Sequence, residues 1–434
     1  MKSIYFIVLF SMPFFSSAFP QSGWVHQSSG TSSNLLSVYF INSETGWAAG
    51  ANGVILHTSN GGANWTAQTS GSSLTIRSVM FTDENYGWAS GGDFDNNPVC
   101  EDLRILLKTS NGGKTWIQLI GGAGAIYNDL FVTNNQTVYT CNAVACCPPF
   151  CFVFSGGVYR TSNSGQNWTG DLGIATYSIN FINEITGWAL SNYTSDVPPS
   201  INYVYKTTSG GNSWELIHTD TVNFFHIGRN IFFTDDVNGF MHFKFLKKTT
   251  DGGFTWINTD SAATQAITDL YFLNKDTGWC VGGGGKIIRT DNGASSWYSM
   301  NGNTTVILNS INFANDLTGW IVGNGGIILK TITGGLTTVN SNSTAAPDAY
   351  SLFQNYPNPF NPKTVIVYQI PKSGIVSLKI FDILGNEIFD LVNEKQNAGS
   401  YEAEFDGSGL ASGIYFYRLE TAGFIQTKRM ALVK

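Results

Sequence analysis

Four carboxylates, Asp93, Asp95, Glu101 and Asp102, crowd one stretch of this 434-residue chain. Two carboxylates a few ångströms apart are the equipment of a glycoside hydrolase, one as acid and the other as base or nucleophile. Tyr193 and Asp196, in a second polar stretch, join them as candidate ligand-binding residues. Cys100, Cys141, Cys146, Cys147 and Cys151 fall in and between the same stretches. Such a cluster could hold zinc, but Cys146 and Cys147 are adjacent and the Cys-x-x-Cys spacing of zinc ribbons is missing. Disulfides are the preferred reading, with the pairing open. No His-Glu-x-x-His and no nucleophile elbow appears. Other acids, Asp83-Glu84, Asp235-Asp236 and Asp276, recur at equivalent points between strands, which reads as turn chemistry. No catalytic residue, metal site or cofactor is assigned, and binding is expected in place of catalysis.

These residues hang on a repeat. An eight-residue box runs from Thr58 to Trp65, Thr109 to Trp116, Thr161 to Trp168 and Thr249 to Trp256, with looser copies ending at Trp214 and Trp297. Thr-Gly-Trp precedes most boxes, at Trp47, Trp188, Trp279 and Trp320, with Trp88 and Phe240 in variants. Strand-rich units recurring every 40–50 residues or so are the blades of a propeller. The spacing predicts seven four-stranded blades. In the first, Leu36, Val38 and Phe40 alternate as a half-buried strand, and Asn52-Gly53 marks a hairpin. The third unit is degenerate, with Val138-Tyr139 where Gly-Trp should stand, and the seventh box has lost its Trp. Trp24 and its neighbours resemble the strand that leaves each box. An N-terminal strand is therefore expected to complete the last blade and close the ring.

The box has a structural job. Asn60, Asn111, Asn163 and Asp251 can bind backbone amides of their own turn. Gly62, Gly113, Gly165 and Gly253 give it conformational freedom. Trp65, Trp116, Trp168 and Trp256 then fold over the hairpin. A basic residue or histidine stands before each box, from His57 to Lys330, and is expected on the outer part of its blade. The second-to-third strand connection is long only in blades 2, 3 and 4, and this places the candidate binding residues on one sector of the face opposite the boxes. Long loops on a rigid scaffold commonly carry binding.

The box is similar to the Asp-box, or BNR repeat, of bacterial sialidases. The longer unit, from Thr-Gly-Trp to Asn-Gly-Gly-x-x-Trp, resembles the propeller family named for the photosystem II stability and assembly factor, over about residues 22–338. That resemblance implies a seven-bladed, all-β scaffold. Members named for photosynthesis hold a partner protein through a basic patch; here the chain is acidic, at −7, and its arginines are scattered. A sialidase would need an arginine cluster, and two of the five propeller arginines, Arg160 and Arg289, already occupy the repeat position before the box.

Residues 1–18 read as an export signal: Lys2, an apolar run from Ile4 to Phe15, then Ser16-Ser17-Ala18. No later apolar run is long enough for a membrane helix, and the acidic balance offers no footprint for nucleic acid. The propeller is assigned to residues 19–338 and a polar linker to 339–350. Residues 351–434 then form a small β-sandwich of immunoglobulin-like size. Asn355 to Pro362, Ile380 to Asn386, Leu410 to Tyr417 and Lys428 to Lys434 resemble the C-terminal sorting domain of type IX secretion. This implies the type IX machinery as a partner and a secreted or surface-attached destination. The expected function is non-catalytic binding of a protein or glycan there. A glycan hydrolase and a structural surface component are the alternatives.

Overall fold

The computed structural model describes residues 23–93, 103–143, 156–193, 200–222, 230–243, 245–259, 263–336, 350–355 and 358–434. The chain divides into two compact units, one spanning Ser22–Leu336 and the other containing Thr337–Lys434. Among the described residues both are built of strands, with helix confined to three single turns.

The larger unit is a β-propeller. Seven four-stranded antiparallel sheets lie among its described residues, six of them in simple chain order. The first sheet is typical: Leu35–Phe40, Gly46–Gly50, Ile55–Thr58 and Thr66–Gln68. The exception is the last, where Leu308–Phe313, Gly319–Gly323 and Ile328–Gly335 take Gly23–Gln27 as their fourth strand. Gly23 lies opposite Gly335 and Gln27 opposite Ile328. First strands of successive sheets are neighbours, and Leu308–Phe313 neighbours Leu35–Phe40, so the circle closes.

Period-two alternation misplaces one residue of the first strand. A bulge between Leu35 and Ser37 shifts the register, so Leu35 joins Val38 and Phe40 in the core. Leu36 turns instead toward the central channel. A register shift at the equivalent point recurs in sheets 2, 3, 4, 6 and 7.

The Thr-Gly-Trp signature is an inter-sheet joint. Its glycine exists because a phenylalanine ring lies on it: a Cβ at Gly46 would sit 2.4 Å from Phe40. Its tryptophan is fully buried and stacks on the phenylalanine of the next sheet. Trp47 lies on Phe81 at 3.5 Å, Trp188 on Phe233 at 3.6 Å and Trp279 on Phe313 at 3.9 Å. The degenerate third unit is compensated. Val132 replaces the phenylalanine, which leaves room for Val138 in place of glycine, and Tyr139 stacks on Phe181 at 4.0 Å.

Trp24 supplies what the seventh box lacks. It meets Phe313 edge-on at 5.9 Å and 79°, as Trp65 meets Phe40 at 5.8 Å and 89°. Thr331 still binds the Gly335 amide at 2.7 Å, so the seventh turn keeps its box geometry.

The smaller unit pairs a three-stranded sheet (Ser351–Leu352, Lys363–Ile370, Gly399–Asp406) with a four-stranded one (Glu387–Gln396, Gly374–Phe381, Gly413–Thr421, Phe424–Leu432). Ile366 and Tyr368 from one sheet share a core with Leu378, Leu419 and Met430 from the other. The result is a β-sandwich. Tyr417, fully buried, donates its hydroxyl to the Phe353 carbonyl at 2.7 Å and accepts the Asn355 amide at 2.8 Å. This pins the start of the Asn355 to Pro362 segment.

Candidate functional site

Much of the repeat's polar chemistry is consumed by structure. In each box the threonine hydroxyl accepts the amide four residues on, at 2.8 Å for Thr58 and Gly62. The Asx side chain accepts the amide four residues beyond itself, Asn60 from Asn64 and Asp251 from Thr255, both at 3.0 Å. Burial works against ionisation of Asp251, yet hydrogen bonds from Thr255 and Thr249 overcome it and hold the carboxyl down at about 2. The glycine adopts the left-handed conformation, φ 85° at Gly62.

The basic residues before the boxes belong to the same joints. Lys206 lies 4.8 Å over the Trp188 ring, Arg289 5.0 Å over Trp279 and Lys330 5.3 Å over Trp320. Lys108 and Lys248 each donate to a carbonyl in the next sheet's box, Ser164 and Gly293, at 3.1 Å. The acids between first and second strands make Asx turns: Asp83 accepts the amides of Asn85 and Tyr86, and Asp235 those of Val237 and Asn238.

The opposite face is uneven. In sheets 1, 6 and 7 the second strand ends in a single helical turn, Ala51–Gly53, Gly283–Gly285 and Asn324–Gly326. In sheets 2 and 4 the hairpins run on, through Gly87–Asp93 with Leu103–Thr109 and Gly187–Tyr193 with Ser200–Thr207. Sheet 3 is intermediate, with Val138–Ala143 and Gly156–Thr161. Asp93 closes the second strand of sheet 2, and its carboxylate accepts the Thr75 amide at 3.0 Å. Arg77 donates Nε to the Gly92 carbonyl at 3.3 Å, tying the same hairpin to the channel mouth. Tyr193 ends the equivalent strand of sheet 4. Asp95, Glu101, Asp102 and Asp196 lie outside the described residues.

Cys141 requires correction. It is a residue not of the loop but of the second strand of sheet 3, where its side chain faces sheet 4, fully buried and free. Burial pushes its thiol well up, so it is a core side chain. Cys100, Cys146, Cys147 and Cys151 lie outside the described residues. Among the described residues no cluster of His, Cys, Asp and Glu could hold a metal.

The repeat reading missed the central channel. Its cavity of about 340 Å³ is lined by the seven first strands. One position of each strand forms a closed belt: Ser37, Ser78, Asp129, Ser178, Asn230, Asp269 and Ser310. The Val79 amide donates to Ser37 at 3.1 Å, Ile231 to Ser178 at 3.3 Å and Val38 to Ser310 at 3.4 Å. Asp129 takes Ile179 at 3.1 Å and the hydroxyl of Ser78. Asp269 takes Ile311 at 2.9 Å and Asn230 Nδ2 at 2.6 Å. Every sheet is thereby bonded to the next. Both residues line the channel and are half-buried among the first strands. Desolvation raises their carboxyls, Asp269 to about 7, against the pull of their amide and serine donors. The available signal was a charged residue at a position that is serine in four other units.

Two family models match the chain. One, described as photosynthesis system II assembly factor YCF48, covers residues 17–195 and 254–342. The other, a secretion system C-terminal sorting domain, covers 354–433. Among solved structures the chain is similar to "YCF48 bound to D1 peptide", at 21% identity and TM-score 0.55, covering 72% of this chain and 97% of that one. It is also similar to YCF48 from Cyanidioschyzon merolae, at 18% identity and TM-score 0.50, with 71% and 98% covered. The WD40 propeller of Doa1 matches at 10% identity and TM-score 0.51, with 71% and 95% covered. At these identities the structures show the fold alone. No curated protein sequence matches the chain.

Proposed function

The chain belongs to the family of photosynthesis system II assembly factor YCF48, and we propose that it is a non-catalytic propeller that binds a protein segment or glycan. Its sorting domain makes it a type IX secretion substrate, secreted or held at the cell surface. Binding would take place on the face that carries the extended hairpins of sheets 2 to 4.

The observation that carries this reading is the asymmetry of that face. Tight turns cover sheets 1, 6 and 7, while the hairpins of sheets 2 and 4 stand higher. The family model skips residues 196–253, which contain Ser200–Thr207 and Glu215–Val222 of sheet 4. The gap runs on through the first three strands of sheet 5, while the hairpins of sheets 2 and 3 lie within the matched residues. A solved relative is titled as bound to a peptide, which favours a protein segment over a glycan for this chain. Asp93 and Arg77, which tie the sheet 2 hairpin to the channel mouth, would set the edge of that surface.

The test is a binding and turnover screen of the full chain against extracellular proteins, peptides and glycans. A twin with the three long connections shortened to the Ala51–Gly53 type runs in parallel. Binding lost in the twin, without turnover, is the expected result. Turnover of a glycan, or equal binding by both proteins, would overturn the reading.

A further inference from the structure

Each of the seven propeller sheets ends in an outer strand, and a free outer edge invites pairing with another chain. Five of these strands are only two to five residues long: Gly23–Gln27, Thr66–Gln68, Thr169–Asp171, Ile257–Asn258 and Tyr298–Met300. The sixth, Glu215–Val222 of sheet 4, is long but guarded by charge, with Glu215 at its start and Asp220 paired to Lys247. The seventh, Ile117–Ala123 of sheet 2, has the length without the guard.

Its sequence, Ile-Gln-Leu-Ile-Gly-Gly-Ala, holds no charge and no proline. Its inner side pairs with Leu103–Thr109, and among the described residues no strand pairs with its outer side. Ile117 and Leu119 are 60% and 36% exposed, and Gln118 and Gly121 are exposed with them. A bulge at Leu119 interrupts the strand. The equivalent bulge at Ile217 interrupts Glu215–Val222, and there acidic residues are present as well. At Gly121-Gly122 two successive positions lack side chains, and glycine within a strand admits the close approach of another backbone.

The described basic residues around this strand are engaged elsewhere. Lys108 donates to the Ser164 carbonyl of sheet 3, Arg104 bonds Tyr127, and Lys114 lies toward His57 of sheet 1. Glu101 and Asp102, which precede Leu103 in the chain, lie outside the described residues.

This edge suits a second copy of the same chain. A charged partner would find nothing on the strand to meet its charges, whereas two identical uncharged edges set no like charges opposite each other. Antiparallel pairing of a segment with itself also needs only one patch and closes at two. We propose that two copies associate edge to edge through Ile117–Ala123, joining their second sheets into one eight-stranded sheet. The contact is a single strand on each side, smaller than the roughly 1,200–2,000 Å² of a stable interface, so the association is weak and favoured where copies are crowded. It requires neither a peptide nor a glycan and is independent of the ligand reading above.

The experiment follows the full chain by sedimentation velocity between about 1 and 300 μM, with amide exchange measured at both ends of that range. The expected result is a mass that rises toward the dimer. Exchange in Ile117–Ala123 should slow at least fivefold at the high concentration, and exchange in Glu215–Val222 should not. Ile117→Glu with Gly121→Glu should weaken the association at least tenfold. Ile257→Glu with Asn258→Glu, on the outer strand of sheet 5, should leave it unchanged, and both pairs should melt with the parent. A monomer throughout, a dimer without slower exchange at Ile117–Ala123, or equal association by the two variant pairs overturns the proposal. Exchange there that slows only when an extended peptide is added overturns it as well.

Discussion

Trp320 of the last sheet lies flat on Phe40 of the first, with ring centroids 3.4 Å apart and planes within 5°. The same stack links Trp47 to Phe81 inside the chain order, so the seam is packed like the other joints. Its backbone closure, however, depends on five residues, Gly23–Gln27.

Removing either ring at the seam should therefore be costly. Trp320→Ala and Trp24→Ala each delete a fully buried indole and should destabilise by ~3–5 kcal/mol. Trp65→Ala, in a half-buried copy of the box, should cost less. Urea unfolding midpoints check this. A Trp24→Ala midpoint equal to the parent's would mean that the N-terminal strand contributes nothing to closure.

The compensated third unit predicts a coupling. Val132→Phe alone forces a ring onto the Val138 side chain and should destabilise by ~1–3 kcal/mol. Adding Val138→Gly recreates the arrangement at Gly46 and Phe40 and should recover most of that loss. A double-mutant cycle should read an interaction of ~1–3 kcal/mol. Additive effects would show that the glycine and the ring are not one device.

Asp269 predicts a pH dependence with a definite sign. Its folded carboxyl titrates at about 7, above the ordinary value of 3.8. A raised acid favours the folded state most below pH 3.8, and that contribution is lost as pH rises through 7. Asp269→Asn should flatten the parent's fall in stability between pH 5 and 8, measured by unfolding midpoints at both ends. An unchanged slope would show that Asp269 does not carry it.

The propeller was legible because its joints are written in aromatic residues and glycine, which few other local structures require. Even the irregular units could be located: the third by its missing Gly-Trp and the last by its missing box Trp. Side-chain direction in the first strand was not legible. The bulge at Leu35 reverses the alternation, and nothing in Leu35-Leu36 says which leucine enters the core. The belt escaped for a related reason: a lone aspartate on an apolar strand acquires meaning only when seven strands are laid side by side. Cys141 was misplaced because sequence proximity to three other cysteines outweighed its position two residues past Tyr139.

The last sheet also sets how the molecule responds to force. Gly23 and Gly335 are paired, so the chain enters and leaves the propeller side by side. A pull on the C-terminal side starts at that pair and breaks bonds one after another toward Gln27 and Ile328, as a zipper opens. The other six sheets lie in simple chain order and carry none of this load until the seam parts. A secretion substrate drawn by its tail would thus yield first at the joint that makes it a ring: Ile328–Gly335 lies between Gly23–Gln27 and Gly319–Gly323, so its loss also leaves the N-terminal strand without its neighbour.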